Sequence, residues 1–566
     1  MAPPSLPYVL AALALGGMLL LLPRLAVRGA ALLRMLRALL RGRAARDTDL
    51  GRAAAYHRGL PAADRGDELD DRTWDDLDLD EVFLAIDRTR SGPGRQYLYH
   101  LLRTPTSRRA ALLRLERTIA ALSADDVAVP ARAALDRLGD PRAGHLVDLL
   151  FGGLPRRPRL WWLFPLCTVS SVVLLALFVS GAWPAALAYW LGLCFANILL
   201  QIAYRPRVRQ FVPALHQLPA FLDVARALGE LPVAELDDER RVLRDGASGL
   251  RGLRRATWWL QFEPGQTSEL AASLYEYVNL ALLLDVNAFV LATDTIRARR
   301  AELRAMFEAM GRVDAAQSIA AWRASLPRWT TPELTGPAKT LHVGGLVHPL
   351  VADAVPNDLA LDGTGALVTG SNMSGKSTFV RAVGLGAVLG QTLHTVCADA
   401  WSGPALRVRT SIGRADSVVE GKSYYLAEAE AVLALVRASE GEAQHLFLLD
   451  EIFRGTNTTE RVAAGYAVLA YLGRGTDIVL VATHDLDLLG LLGDRYASHH
   501  FREQVTDGAL SFDYRIHAGP SRTRNAIALL GMLRYPDALV ADALAVLDWQ
   551  RRGGEPQGGV AVAAEG

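Results

Sequence analysis

"VTGSNMSGKSTFVRAV", residues 368–383, decides the fold of the C-terminal part of this 566-residue chain. Gly370, Ser371, Asn372, Met373, Ser374, Gly375, Lys376 and Ser377 match G-x-x-x-x-G-K-[ST], and Thr378 follows. The apolar run "GALVT" before the loop reads as a strand, and "TFVRAVGLGAVLGQ" after it as a helix, which is the context that a phosphate-cradling loop requires. Glycines let backbone N–H groups turn toward phosphate oxygens, and the helix N-terminus adds the positive end of its dipole. The pattern predicts Lys376 at the β- and γ-phosphates of ATP and the Ser377 hydroxyl on Mg²⁺.

Two further strands end in chemistry. "HLFLLDEIFRGTNT" places Asp450 and Glu451 at the end of an apolar run, and "DIVLVATHDLDLL" does the same for Thr483 and His484. In a parallel sheet the C-terminal strand ends form the ligand edge. Asp450 is therefore expected to meet Mg²⁺, Glu451 to polarise the attacking water, and His484 to sense the γ-phosphate.

In that order, "TGSNMSGKST", "LLDEIFRGTNT" and "VATHDLDLL" resemble the ATPase domain of MutS mismatch-repair proteins. The likeness extends to "HPLVADAVPNDLAL" before the loop, to "SIGRADSVVEGKSYYLAEAEAV" and to "GPSRTRNAIALLGMLRYPDALV", so it covers about residues 340–548. It implies an α/β P-loop ATPase domain of ABC/MutS type at 341–548, Asn357 near the base, and Ser423 reaching the γ-phosphate held by a second copy. Read from the residues alone, Ser423 precedes an apolar periodic helix and suits an N-cap, whose free N–H groups attract anions.

Upstream, "LDLDEVFLAIDRTRSGPGRQYLYHLLRTP", residues 77–105, resembles the opening of the MutS core, where D-R-T followed by G-x-R begins a helical lever. Residues 65–158 are expected to form the first part of that α-helical core and 205–340 the rest of the lever, with 549–566 a disordered tail. Only about 60 residues separate the first apolar segment from the core opening, too few for the mismatch-reading and connector domains that the resemblance implies; nor is there room in residues 205–325 for both a full lever and a clamp.

Two apolar segments predict three transmembrane helices. Residues 1–23 carry a run without charge and read as an anchor, and residues 160–204, also without charge, read as a hairpin turning near Gly181 and Pro184. Arginines crowd the basic segment 24–64 and flank the hairpin at Arg156, Arg157, Arg159, Arg205, Arg207 and Arg209, which predicts a multi-pass protein of the cytoplasmic (inner) membrane with its ATPase domain in the cytoplasm.

A net charge of +1 supplies no whole-chain field for nucleic acid, and three cysteines, Cys167, Cys194 and Cys397, lack any metal or disulfide spacing. Only Lys339, Lys376 and Lys422 are lysine among 61 basic residues, so a lysine in the loop stands out. The combined expectation is a membrane-anchored homodimer that hydrolyses ATP with Mg²⁺ in a composite site and moves helical levers, with lipid and an unidentified protein as partners. The alternative is an ATP-dependent protein that binds mismatched or branched DNA, through arginines such as Arg251, Arg254 and Arg255.

Overall fold

The computed structural model describes residues 49–154, 161–179, 211–250, 282–371, 373–412, 424–454, 456–506, 509–520 and 535–551, with a few short pieces between 189 and 279. The first segment builds helices. Asp70 caps α1 (Asp71–Asp76) by accepting the Thr73 N–H at 2.8 Å. Next come α2 (Leu79–Ile86), whose Leu79, Val82, Phe83 and Ile86 form one buried stripe, and α3 (Gly92–Arg103) and α4 (Arg109–Ala121).

After α5 (Leu163–Val179) the chain continues through α6 (Val212–Gly229), α7 (Asp237–Gly249), α8 (Leu284–Ala298) and the 26-residue α9 (Arg300–Ser325). The last two are separate helices, with Arg299 between them.

The D-R-T…G-x-G-R segment has a structural explanation. Asp314 on α9 is fully buried, and its carboxylate accepts the N–H groups of Arg90 and Ser91 and the Ser91 hydroxyl, the last at 2.6 Å. Ser91 in turn caps α3 by accepting the Gly94 N–H. A Cβ at Gly94 would lie 2.0 Å from the Asp314 carboxylate, so glycine is what lets α3 approach α9. Burial pushes the Asp314 carboxyl up to about 6, against the pull of those donors.

One expectation is corrected here. Among the described residues no helix is long and apolar enough to cross a membrane, which overturns the three transmembrane helices and the multi-pass inner-membrane placement built on them. The described part of the supposed hairpin, α5, has 17 residues. It is also occupied in protein packing: Phe164 and Leu174 are buried, the Thr168 hydroxyl donates to the Leu282 carbonyl at 2.7 Å, and it accepts from Asn287 on α8 at 2.8 Å. Lack of charge marks burial in general, and here a neighbouring helix supplies some of it. Residues 1–23, and most of 180–210, lie outside the described residues.

The C-terminal half carries two sheets. A four-stranded one has the order β1-β5-β2-β3, from β1 (Glu333–Thr335), β2 (Thr340–Leu346), β3 (Asn357–Asp362) and β5 (Ala400–Pro404). The six-stranded sheet has the order β10-β9-β4-β8-β7-β6, using β4 (Gly365–Thr369), β6 (Arg407–Ile412), β7 (His445–Asp450), β8 (Ile478–Ala482), β9 (Tyr496–Thr506) and β10 (Ala509–Ala518). All its pairings are parallel except that of β9 with β10.

The central strands read as continuous apolar runs because both faces are covered. Ala366, Val368, Leu446, Leu448, Ile478 and Leu480 meet α10 (Lys376–Thr392) and the helical region in one core. Leu367, Phe447, Leu449, Val479 and Val481 point the other way, into a second core under α11 (Tyr424–Ser439) and α12 (Thr458–Leu472).

Charged joints tie the helical region to this sheet. Arg323 of α9 makes two 2.8 Å bonds to Glu116 of α4 and also reaches Thr395 at 2.9 Å and the His394 carbonyl at 3.0 Å, just beyond α10. Asp76 of α1 accepts the Thr410 hydroxyl at 2.8 Å and the Ile412 N–H at 3.0 Å, closing the exposed edge of β6.

Glu116 yields a pH prediction. Burial raises its pKa, but His394 and Arg323 outweigh this and hold the carboxyl at about 2, against an ordinary 4.5. Its folded value is depressed, so its contribution is complete above about 4.5 and is lost as pH falls toward about 2. Urea unfolding across that window is expected to show Glu116→Gln less stable than the parent at pH 6, with the gap closing below pH 4.

Candidate functional site

The site lies at the C-terminal ends of β4, β7 and β8. β4 ends at Thr369, and the chain turns at Gly370 (φ +136°), where a Cβ would come within 2.9 Å of the Phe501 carbonyl and of Ser374 Oγ. At the far end of the loop Gly375 (φ +105°, ψ 4°) launches α10. Only glycine takes both conformations without strain. Ser374 is buried and its hydroxyl donates to the Ser371 carbonyl at 2.8 Å, while Met373 stands out, 71% exposed. Ser377 and Thr378 lie in the first turn of α10, whose N–H groups have no partner within the helix. Asn372 lies outside the described residues.

Lys376 is 2% exposed, and its ammonium fills the loop, donating to the carbonyls of Gly370 at 2.5 Å and Ser371 at 2.7 Å. Burial lowers its pKa to about 8, with Glu451 and Asp450 pulling the other way. An incoming phosphate offers this cation anionic oxygens in place of neutral carbonyls.

Asp450 closes β7 in register with Ala482 of β8. It is 8% exposed, and its Oδ1 is buried with no hydrogen-bond partner among the described residues. A buried carboxylate oxygen without a donor is the arrangement that a cation completes. Among the described residues no cluster of three or more His, Cys, Asp or Glu side chains forms a metal cage. Mg²⁺ fits that pattern, because it takes one or two protein oxygens and draws the rest of its shell from phosphate and water. Asp450, with its bare buried Oδ1, is a residue that could contribute one such oxygen.

Glu451 and Phe453 both adopt left-handed backbone, at φ 53° and 61°. The Glu451 N–H donates to the Ala482 carbonyl at 2.9 Å; its side-chain oxygens lie 2.8 Å from His484 Nε2 and 2.8 Å from Arg454 Nε. Burial raises the pKa of this carboxyl, but His484, Arg454 and Lys376 together bring it below its ordinary value, so it is ionised at neutral pH. His484 Nε2 is also 3.5 Å from the Lys376 ammonium. The loop carrying His484 is held by Thr483, whose N–H reaches the Val368 carbonyl at 3.0 Å, and by a two-bond Arg461–Asp485 pair.

The structure thus brings Gly370, Ser371, Lys376, Glu451 and His484 together through measured contacts, with Asp450 adjacent in the chain. Asn357 has another partner set: its Nδ2 donates to the carbonyls of Val355 and Tyr514, both at 3.0 Å, and its Oδ1 accepts the Ile516 N–H at 2.7 Å. It pins β3 to the irregular part of β10, where Tyr514 (φ 52°) sets an exposed ring 3.4 Å from where a Gly375 Cβ would be. Ser423 lies outside the described residues; α11 begins at the next residue. Sequence reading missed Tyr514, Arg454 and Glu428. Arg454 had a signal in its i+3 spacing from Glu451, whereas Tyr514 and Glu428 reach the site only by folding.

Residues 366–549 match the family described as MutS domain V. The chain is 34% identical over 204 residues to the DNA mismatch repair protein MutS of Thermus aquaticus, which is 35% of this chain and 25% of that protein. It is 30% identical over 274 residues to the DNA mismatch repair protein MutS 1 of Halobacterium salinarum, 47% and 31% of the two chains. Against MutS of Erythrobacter litoralis it is 30% identical over 317 residues, 53% and 36%. The chain therefore has a MutS-type domain V, and its alignment covers about a quarter to a third of these relatives' length.

The loop geometry makes a prediction. Gly370→Ala is expected to weaken binding of a fluorescent nucleoside triphosphate at least about tenfold, through steric conflict and a strained φ. Gly153→Ala, where a Cβ meets nothing within 4 Å, is expected to change nothing. Equal affinities for the two variants in a titration would show that the loop does not hold phosphate.

Proposed function

We propose that this chain is a MutS-type ATPase that binds ATP with Mg²⁺ and hydrolyses it in a site shared between two copies. The observation that carries this reading is the contact set in which Lys376, Glu451 and His484 converge beside the loop, with a bare buried Asp450 oxygen at the same strand edge. In the reaction Lys376 leaves its two loop carbonyls for phosphate oxygens, and the N–H groups at the start of α10 take up further negative charge. When bound, Mg²⁺ supplies charge neutralisation across the phosphates, held by Ser377 and Asp450.

Glu451, ionised and depressed in pKa, is a weak base, so its part is to orient and polarise water more than to remove a proton outright. His484 bridges Glu451 and Lys376, so a change at the γ-phosphate alters the hydrogen bonding of the water-orienting carboxylate. Tyr514, half-exposed with its ring beside Gly375, is a candidate to stack on a nucleotide base. Ser423, the residue before Tyr424 in the sequence, serves the phosphate bound by the partner copy, which makes the homodimer the active unit.

Coupling to the helical region follows from α10. Its N-terminus grips phosphate, and the residues just past its C-terminus, His394 and Thr395, are held by Arg323 of α9. A displacement of this rod is thereby delivered to the helical lever. Regions 65–158, 205–340 and 341–548 remain the proposed division into core, lever and ATPase domain. A second reading, ATP-dependent binding of mismatched or branched DNA, is favoured by the relatives' name, DNA mismatch repair protein. Arg251, Arg254 and Arg255, which would carry it, lie outside the described residues, and the lever arginines Arg240, Arg299 and Arg312 are paired with Asp237, Glu302 and Glu239.

Glu451→Gln tests the reading. Turnover of Mg·ATP by the purified full chain is expected to fall at least about a hundredfold while nucleotide affinity stays within about threefold. Undiminished turnover in this variant would remove Glu451 from the mechanism.

A further inference from the structure

Glu428 lies on α11, five positions after Ser423, and its carboxylate crosses to the turn that follows Glu451. Oε1 accepts the Phe453 N–H at 2.5 Å and, more weakly, the Arg454 N–H at 3.4 Å. Oε2 is buried without a hydrogen-bond partner among the described residues.

The turn itself is a problem that this contact addresses. Glu451 and Phe453 are both held at positive φ, a strained conformation for residues with a side chain. The Glu451 N–H is tied to β8, whereas the Phe453 N–H donates to a side chain 25 positions earlier. Loss of that 2.5 Å bond would let the turn relax toward ordinary backbone, swinging Glu451 off His484. β7 would keep its ladder to β6 and β8, so the sheet does not depend on the contact.

We propose that Glu428 is the positioning residue for Glu451: its carboxylate holds the left-handed turn that aims Glu451 at His484, making α11 and the water-orienting carboxylate one mechanical unit. The consequence is regulatory. Anything that shifts α11 also shifts Glu451, so a partner that engages this helix alters the geometry for hydrolysis. This rests on the ATPase reading given above.

Glu428→Ala and Glu428→Gln separate positioning from general support of the fold, because Gln keeps an acceptor oxygen and the side-chain size. In full-length protein with Mg·ATP, Glu428→Ala is expected to lower kcat at least about tenfold with KM within about twofold, and Glu428→Gln to recover kcat to within about threefold of the parent. Hydrogen exchange of the Phe453 and Arg454 amides is expected to speed up at least about tenfold in the Ala variant only. Unchanged turnover and exchange in Glu428→Ala would overturn the proposal, as would equal damage in both variants or a joint loss of nucleotide binding and thermal stability. A parent protein that hydrolyses no ATP would refute the ATPase reading alone, since the exchange comparison still decides whether Glu428 holds the turn.

Discussion

A buried ammonium dominates this molecule's C-terminal half. Lys376 sits almost without solvent, bonded to two carbonyls of its own loop and facing the Glu451–His484 pair across the sheet edge. Burying a charge carries a large desolvation cost, and dipoles of neutral carbonyls recover only part of it. Much of the surrounding construction serves that cation: two glycines in conformations closed to other residues, a serine that folds the loop back on itself, and a strand edge that ends in carboxylates. A site that holds a cation at this disadvantage is prepared for a polyanion.

The same logic explains why the helical region is inseparable from the sheet. Asp76 satisfies the edge of β6, Arg323 clamps the turn beyond α10, and Asp314 staples α3 to α9. Each is a buried or half-buried polar contact whose loss strands a donor or acceptor, so each holds one geometry more firmly than apolar packing would. The core is continuous from α2 through α9 to the face of the sheet that carries α10. α10, which starts at the glycine-bounded loop, is thus braced against α9 just past its other end.

How much of this was legible in sequence depended on how local the physics is. Lys376, Asp450, Glu451 and His484 each follow an apolar strand, and strands buried on both faces read as uninterrupted apolar runs, so their ends could be placed directly. Asn357 could not be read that way, because its amide bridges to Tyr514 and Ile516, more than 150 positions away. Glu428 looked like one more charge on a helix until folding set it under the Phe453 amide. The apolar stretch at 160–204 misled for a different reason: a run without charge does not say what it packs against, and α5 buries Phe164 and Leu174 and bonds to α8 through Thr168 and Asn287. Ser423 and the first apolar segment stay outside the described residues, so the expectations placed on them rest on sequence.

The account turns on a cation cage exchanging its loop carbonyls for phosphate beside a carboxylate that completes a metal shell. A crystal structure of Glu451→Gln protein with Mg·ATP tests this most directly. The account predicts the Lys376 ammonium on β- and γ-phosphate oxygens and Mg²⁺ within about 2.1 Å of the Ser377 hydroxyl, with Asp450 Oδ1 in its shell directly or through one water. Nucleotide bound elsewhere, with Lys376 still on the carbonyls of Gly370 and Ser371, would contradict it.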